Sequence, residues 1–346
     1  MIHSRTLRVI TLFGLAASAA MTHHAALARP DASEVYQRPN LPLRPAHTYS
    51  IVARDPASGQ LGAAVQSHWF SVGADVIWAQ PGVGAVATQS FIEVSYGPLG
   101  LAMMESGNTA PQTLTSLLAK DEHKNVRQIG MIDAKGNTAV HTGELAITAH
   151  CHLVGEDFTV QANLMEKDTV CAAMAAAFTA NANEDLAGRM MAALQAAQQE
   201  GGDIRGKQSA AMLVVEGEKG TPVWQGRLVD LRVEDNADPI SELSRLLHVS
   251  RTYSKMTEGD DFMTLGKIDE ALAAYATAES MMPDNHEAIF WHAATLAAVD
   301  RVEESLPLFK KAFALHPAWK TLVPRLPASE LLPDDPKIIN RILAVK

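Results

Sequence analysis

The run from Thr48 to Asp55 begins with a hydroxyl residue and continues with residues typical of a β-strand. A threonine that becomes an N-terminal residue carries a nucleophilic hydroxyl and a basic α-amine on the same residue. Here Thr48 would gain a free amine only if the His47–Thr48 bond were cleaved. The same residue types are also ordinary strand formers, so the run taken alone favours a structural role.

Amide side chains near the ends of two other predicted strands could assist such a nucleophile. Gln161 and Asn163 lie two residues apart, so strand alternation places them on one face. An asparagine at a strand end can donate a hydrogen bond to an oxyanion, although it can equally cap the following turn. Gln89 and Ser90 end a strand of small residues, which would let a substrate approach closely.

The segment 201–209 combines two glycines with charged and polar side chains immediately before a predicted strand. Asp203, Arg205 and Gln208 are its candidate functional residues, because loops that precede rigid strands often carry function. A purely structural ion pair between Asp203 and Arg205 is an equally good interpretation.

Several other residues have weaker signals. Ser67 and Ser90 also lie at strand ends, but neither has the GxSxG context of a hydrolase serine. His141 is a candidate substrate-binding residue, although a single histidine is more often structural. His150 and His152 share a strand face, but the further ligands of a zinc site are missing at any recognisable spacing.

The first residues have the pattern of a secretory signal. Arg5 and Arg8 precede an apolar run over residues 9–21, and Ala26-Leu27-Ala28 fits a signal-peptidase site. The sequence therefore predicts cleavage after Ala28 and a secreted, periplasmic protein. A retained membrane anchor is the alternative, although the apolar run is short for a bilayer span.

Composition and charge narrow the class of protein. The chain has 346 residues, of which 47% are hydrophobic and 20% charged, as in globular proteins. Its net charge of −10 argues against a nucleic-acid partner. In an oxidising compartment Cys151 and Cys171 could pair, but their spacing alone leaves this open. No GxGxxG or GxxxxGK[ST] motif is present, so the sequence does not support a nucleotide-phosphate site.

The order of the predicted elements favours an α+β fold. Strand hairpins alternate with paired helices between residues 48 and 233, and a helix is predicted over 240–248. Hairpins indicate antiparallel sheets rather than a βαβ repeat.

The C-terminal part has a different pattern, with a period of 34 residues. Pro283 and Pro317 are separated by this interval, as are Tyr275 and Phe309. Such a helical period is typical of tetratricopeptide repeats. Two repeats are fewer than an isolated solenoid needs, so we expect them to pack on the main domain or on a second subunit.

Several strings together resemble the bacterial DUF1028 family, which belongs to the N-terminal-nucleophile hydrolase superfamily. They are Thr48 to Asp55, Gly82 to Gln89, Tyr96 to Pro98, His141 to Gly143, Gln161 to Met165, Gly201 to Ala211 and Val229 to Glu242. The resemblance implies a four-layer αββα sandwich and amide hydrolysis. Many members begin Met-Thr-Phe/Tyr-Ser-Ile-Val-Ala, so removal of their Met exposes the Thr that corresponds to Thr48. This chain differs by the leader before Thr48 and by Ala162, where the family usually has glycine.

The resemblance and the residues together predict five segments. These are a signal peptide over 1–28, a proline-rich leader or propeptide over 29–47, the family domain over 48–250, helical repeats over 251–325 and a tail over 326–346.

The predicted function is hydrolysis of a small amide or peptide-like substrate without a metal or organic cofactor. Thr48 would be the nucleophile, Asn163 the oxyanion donor, and Asp203 and Arg205 further catalytic residues. The predicted substrate-binding residues are Gln89, Ser90, His141, Gln161 and Gln208. The alternative is an inactive protein of the same fold that binds a peptide or cell-wall fragment. In either case the repeats could bind a protein partner, and a homo-oligomer is possible.

Overall fold

Two antiparallel β-sheets form the centre of the computed structural model, which describes residues 48–345. The predicted signal peptide, its cleavage after Ala28 and the leader over 29–47 lie outside the described residues. The larger sheet has the strand order β10-β9-β2-β1-β8-β7. Its strands are β1 (Thr48–Arg54), β2 (Leu61–Ser67), β7 (Cys151–Gly155), β8 (Phe158–Ala162), β9 (Ser209–Val215) and β10 (Arg227–Val233).

The smaller sheet has four strands in the order β3-β4-β5-β6. They are β3 (Ile77–Gln80), β4 (Gly84–Ser90), β5 (Arg127–Asp133) and β6 (Thr138–Thr142). Consecutive strands of this sheet pair as hairpins or through the helical excursion between β4 and β5. The α+β class predicted from the sequence is therefore confirmed at the level of two antiparallel sheets with helices.

Helices cover the sheets and make up the C-terminal region. The α-helices are α1 (Val72–Asp75), α2 (Tyr96–Glu105), α3 (Ala110–Leu118), α4 (Val170–Ala180), α5 (Leu186–Gln199), α6 (Pro239–Thr264), α7 (Ile268–Met281), α8 (His286–Ala298), α9 (Val302–Leu315), α10 (Trp319–Leu322) and α11 (Pro336–Leu343). Short 3₁₀ turns occupy Lys124–Val126, Val323–Arg325 and Pro327–Ser329. Among residues 48–345, no helix is long and apolar enough to span a bilayer.

Strand alternation decides which residues face the helices and which face the other sheet. In β1, Tyr49 and Ile51 pack into the apolar core beneath α4 and α5. Val52, on the opposite face of β1, belongs to a second core that includes Ala85 and Ile132 of the smaller sheet. The other surface of the smaller sheet packs against α2 and α3. The two sheets therefore face each other, and helices lie on both outer surfaces.

The helix predicted over 240–248 is much longer in the structure. α6 continues to Thr264 and runs without a break across the domain boundary predicted between residues 250 and 251. Its packing partner changes along its length, because Leu243 and Leu247 contact the sheet core whereas Met256 packs in the core of α7. Because the packing partner changes within one continuous helix, the local sequence carries no signal of a domain boundary there.

The 34-residue period of the sequence has a structural counterpart. Helix α9 begins and ends 34 residues after α7 does. Gly266 and Asp300, at the same offset, both have left-handed backbone conformations just before these helices. The segment predicted as a tail over 326–346 also packs, since Leu326, Leu332 and Ile342 are buried in one core with α8 and α9.

A disulfide joins the edge strand β7 to helix α4. Cys151 and Cys171 form the bond, with their Cα atoms 6.0 Å apart. The question that the sequence left open is thus answered by the fold, which brings a strand and a helix together across 20 residues of chain.

We expect the Cys151→Ser/Cys171→Ser double variant to lose about 3 kcal/mol of unfolding free energy, because closing a loop of this length restricts the unfolded chain. Urea denaturation of both proteins measures the difference. Adding a reductant should destabilise the wild-type protein to the level of the variant. Equal stability of the oxidised wild-type protein and the variant would contradict the prediction.

Candidate functional site

Four hydroxyl and amide residues meet at one end of the larger sheet. Thr48 opens β1 and pairs in register with Ser67 at the end of β2, which pairs with Ser209 at the start of β9. Asn163 follows β8, and its backbone N–H donates to the carbonyl oxygen of Thr48 over 3.1 Å. All four residues are fully buried. The antiparallel register, rather than proximity in sequence, brings them to the same end of the sheet.

The hydroxyl of Thr48 lies among polar groups. Its Oγ1 donates to Ser67 Oγ over 3.3 Å. Its carbonyl oxygen accepts from Gln89 Nε2 at 3.2 Å as well as from Asn163. The nucleophile candidate, the oxyanion-donor candidate and one substrate-binding candidate are thus brought together.

A cluster of buried amides fills the space between the two sheets beside Thr48. We call Gln89, Gln128, Gln161 and Asn163 the amide cluster. Gln89 comes from β4 in the smaller sheet, and its Nε2 lies 2.7 Å from Gln128 Oε1 and 3.2 Å from the Gln161 carbonyl. Ser50 of β1 donates to Gln89 Oε1 over 2.5 Å and accepts from Gln161 Nε2 over 2.7 Å. Hydrogen bonds between the two sheets therefore satisfy buried polar groups of both sheets.

Gln128 on β5 is the residue that the sequence analysis missed. Its Oε1 accepts from Gln89 Nε2 and, over 2.9 Å, from Asn163 Nδ2. Its Nε2 lies 3.0 Å from both Thr142 Oγ1 and the Ala162 carbonyl oxygen. Gln128 thereby fixes which atom of the Asn163 amide is the donor. The sequence signal that could have identified Gln128 is a glutamine near the start of a predicted strand, on the same strand face as a glycine and an isoleucine.

Gly130, two residues further along β5, permits the close approach of the sheets. A Cβ atom at this position would lie 2.4 Å from Gln161 Oε1 and 2.7 Å from Thr159 Oγ1. Thr159 Oγ1 donates to Gln161 Oε1 over 2.9 Å, so the side chain of Gln161 has little room to move. Any larger residue at position 130 would push against the amide cluster.

The segment 201–206 reaches the same end of the sheet. Asp203 forms an isolated β-bridge with Met165, two residues after Asn163. Its carboxylate accepts from the backbone N–H of His68 over 3.1 Å, and His68 follows Ser67. The predicted ion pair is present, with Arg205 Nη2 2.6 Å from Asp203 Oδ2. Asp203 is buried and Arg205 is partly exposed, so the ion pair anchors this loop beside Thr48.

Three predicted site residues lie apart from the amide cluster. His141 faces away from it and donates from Nε2 to the Lys124 carbonyl oxygen over 2.8 Å. Ser90 follows Gln89 on the opposite face of β4 and has a left-handed backbone with a φ of 70°. Gln208 donates to Asp235 Oδ1 over 3.2 Å.

A cavity of about 510 Å³ lies beyond Ser209 at this end of the sheet. Gln208, Trp69 and Phe70 are among its lining residues. Ser209 Oγ donates to the carbonyl oxygen of Trp69 and accepts from the N–H of Val72 over 3.1 Å. The cavity therefore lies beside β9, whose first residue, Ser209, pairs with Ser67 of β2.

An imidazole continues the hydrogen-bond chain that starts at the amide cluster. Thr142 Oγ1 accepts from Gln128 Nε2 and is also hydrogen-bonded to His152 Nδ1, 2.9 Å away. Partial burial of the ring, followed by the charges of His141 and His150, lowers the pKa of His152. His150 instead contacts the Ala146 carbonyl oxygen. Among residues 48–345, no group of three or more metal-ligating side chains occurs.

These features define an α+β protein in which two facing antiparallel sheets bury an amide cluster beside the first residue of a central strand. The chain belongs to the family of unknown function DUF1028, whose family model matches residues 48–243, more than half of its length.

One solved structure agrees with this assignment. A crystal structure of protein SPO2555 from Silicibacter pomeroyi, described as DUF1028, is similar to this chain with 27% sequence identity and a TM-score of 0.52. The similarity covers 59% of this chain and 89% of the other. No curated protein matches this chain.

We expect Gly130→Ala to lower the unfolding free energy by about 1–3 kcal/mol, because the added methyl group overlaps Gln161 Oε1 and Thr159 Oγ1. Thermal and urea denaturation measure the loss. The matched control is Gly100→Ala in α2, where the new Cβ would meet only the flexible end of Met131 closely. Equal effects of the two substitutions would show that the spacing between the sheets is not constrained at position 130.

We expect Gln128→Glu to destabilise the protein by about 3 kcal/mol or more at pH 8, because a buried carboxylate would face carbonyl oxygens without donors of its own. Burial and those oxygens should raise the pKa of this carboxyl in the folded state above its unfolded value of about 4.3. The folded state then binds the proton more tightly, so the destabilisation should shrink as the pH falls towards 5.

Urea denaturation of the variant and the wild-type protein at several pH values measures this difference. Gln225→Glu is the control, since Gln225 is exposed. A destabilisation by Gln128→Glu that is independent of pH would contradict the assigned hydrogen bonds.

Proposed function

We propose that the chain is an exported amide hydrolase of the N-terminal-nucleophile type, with Thr48 as the nucleophile. The observation that carries the proposal is the position of Thr48 at the start of a central strand, beside Ser67, Gln89 and Asn163. A hydroxyl and amide donors are groups that acyl transfer by a threonine uses, and an ion-paired loop lies beside them.

The reaction would begin after cleavage of the His47–Thr48 bond, because a peptide nitrogen is not a base. The free α-amine of Thr48 takes the proton from Oγ1, and Oγ1 attacks the carbonyl carbon of the amide substrate. Asn163 Nδ2 donates to the resulting oxyanion. The intermediate collapses, the leaving amine takes the proton from the α-ammonium, and an ester with Thr48 remains. Water, deprotonated by the α-amine, then hydrolyses this ester to release the acid.

The remaining residues would position the groups that react. Gln128 holds the Asn163 amide with Nδ2 as a donor. Gln89 Nε2 holds the backbone carbonyl oxygens of Thr48 and Gln161, and Gln161 Nε2 holds the hydroxyl of Ser50 on β1. Asp203 and Arg205 hold the loop beside His68, where they can orient the substrate or the α-amine. The cavity lined by Trp69, Phe70 and Gln208 is the candidate substrate pocket at this end of the sheet.

Three larger features support the proposed function and domain organisation. Helices on the outer surfaces of two facing sheets are the arrangement expected of an αββα sandwich, the fold of N-terminal-nucleophile hydrolases. The Cys151–Cys171 disulfide favours an oxidising compartment, as expected for an exported protein. The equal offset of α7 and α9 supports tetratricopeptide-like repeats after the hydrolase domain.

A second candidate function is binding without catalysis. Thr48 is fully buried and is preceded by 47 residues in this sequence, so an uncleaved chain has neither a free α-amine nor an exposed hydroxyl. Such a protein could still bind a peptide or a cell-wall fragment in the cavity near Gln208.

A β-lactone probe distinguishes the two functions without knowledge of the substrate. We expect Thr48 Oγ1 of the exported protein to open the lactone ring and retain the whole probe as an ester. Intact-mass analysis should find a chain that begins at Thr48 and carries the added mass of one probe. Peptide mapping should locate that mass on Thr48.

Thr48→Ala should abolish labelling, whereas Ser67→Ala should remain labelled, because Ser67 accepts a hydrogen bond from the proposed nucleophile and is not itself the nucleophile. Labelling that persists in Thr48→Ala would exclude the proposed mechanism. An exported chain that keeps the leader and does not react would favour the binding protein.

A further inference from the structure

A second cavity, remote from the amide cluster, lies among the C-terminal helices. Its volume is about 590 Å³. The second half of α6, together with α7 and α8, forms its walls, and residues 330–331 form its rim. It shares no residue with the amide cluster, and the family model that matches residues 48–243 ends before it.

Carboxylates are the charged groups of this cavity. Asp260, Glu287 and Glu330 line it, and among residues 48–345 no lysine, arginine or histidine does. Tyr253 donates to Glu287 Oε2 over 2.7 Å, and Tyr275 donates to Asp260 Oδ1. Each of these hydrogen bonds uses one oxygen lone pair, so both carboxylates keep acceptor capacity for a ligand.

The rest of the lining is aromatic and apolar. Trp291 and the two tyrosines line the cavity, and aromatic rings attract cations through their quadrupoles. Met256 and Met263 add flexible apolar surface that adapts to different side chains. Aromatic rings combined with carboxylates and no competing cation suit a ligand that carries both positive charge and apolar groups.

The size of the cavity favours a peptide over a small amine. A volume of about 590 Å³ is in the range of sites for ligands much larger than one lysine side chain. Leu331, which is 46% exposed at the rim, extends the apolar surface outwards. A single ammonium group would leave most of this surface uncovered.

We propose that this cavity binds a short basic peptide segment of a partner protein, with a lysine or arginine side chain held by Asp260 and Glu287 and apolar neighbours on Trp291 and the methionines. The cationic group contacts the carboxylates and the tyrosine rings, and the flanking apolar residues cover the remaining wall. The site is independent of the chemistry at Thr48, so it can be tested whether or not the chain is a hydrolase.

A hexapeptide library in which one position is fixed in each pool tests the proposal with the full chain. Pools with fixed lysine or arginine should bind more tightly than pools with fixed glutamate or leucine, and added salt should weaken binding. Asp260→Asn/Glu287→Gln retains the shape of the side chains but removes both charges. We expect it to weaken binding of the basic pools about tenfold or more.

Two further variants separate the site from general charge effects. Glu270→Gln, on an exposed part of α7 outside the cavity, is the matched control and should bind as the wild-type protein does. Thr257→Lys places a cation within the cavity without removing either carboxylate and should block the basic pools. Thermal denaturation verifies that each variant is folded.

Several outcomes would overturn the proposal. These are binding of no pool, a preference for acidic pools, equal binding of basic and leucine pools, or unchanged binding to Asp260→Asn/Glu287→Gln. Full displacement of the bound basic pools by n-butylammonium at equal concentration would show that the site takes a small amine rather than a peptide.

Discussion

The constraint on which this structure depends is that amides buried between two sheets must be hydrogen-bonded. An unsatisfied buried amide costs a large fraction of the stability of a domain, so the two sheets can pack only where their polar groups match. Gln128 satisfies this requirement within its own sheet by accepting from Gln89 and across the interface by accepting from Asn163. The same hydrogen bonds that join the sheets therefore also orient the side chains beside Thr48.

Because the hydrogen bonds that join the sheets also orient these side chains, the candidate site consists mainly of neutral groups in fixed positions. The amide cluster and its neighbours are neutral amides and hydroxyls, while the ion pair between Asp203 and Arg205 lies in the adjoining loop. Neutral donors held in fixed positions can stabilise a developing oxyanion without reorganising, which is the property that acyl transfer requires. The buried amide cluster therefore positions the side chains beside Thr48, whereas the partly exposed loop of Asp203 and Arg205 lies at the boundary with solvent.

Much of the fold follows from local patterns that are visible in the sequence. The hairpins, the helix pairs and the 34-residue offset of α7 and α9 agree with the predicted elements, because periodicity and turn residues are local signals. The full extent of the edge strand β7 and the unbroken continuation of α6 from the family domain into the helical repeats were not predicted. The strand β7 is mostly exposed and so lacks the apolar alternation of a half-buried strand, and α6 changes its packing partner from the sheet core to α7 along its length.

The sequence by itself determined the residue types that could carry chemistry, the class of fold and the identity of Thr48, Gln89, Gln161 and Asn163 as candidates. Only the tertiary structure decided that these four meet, that Gln128 and Gly130 complete their surroundings, and that His141 lies elsewhere. The physical reason is that strand alternation assigns each side chain to a face, whereas the partner across the interface is fixed by how the two sheets pack.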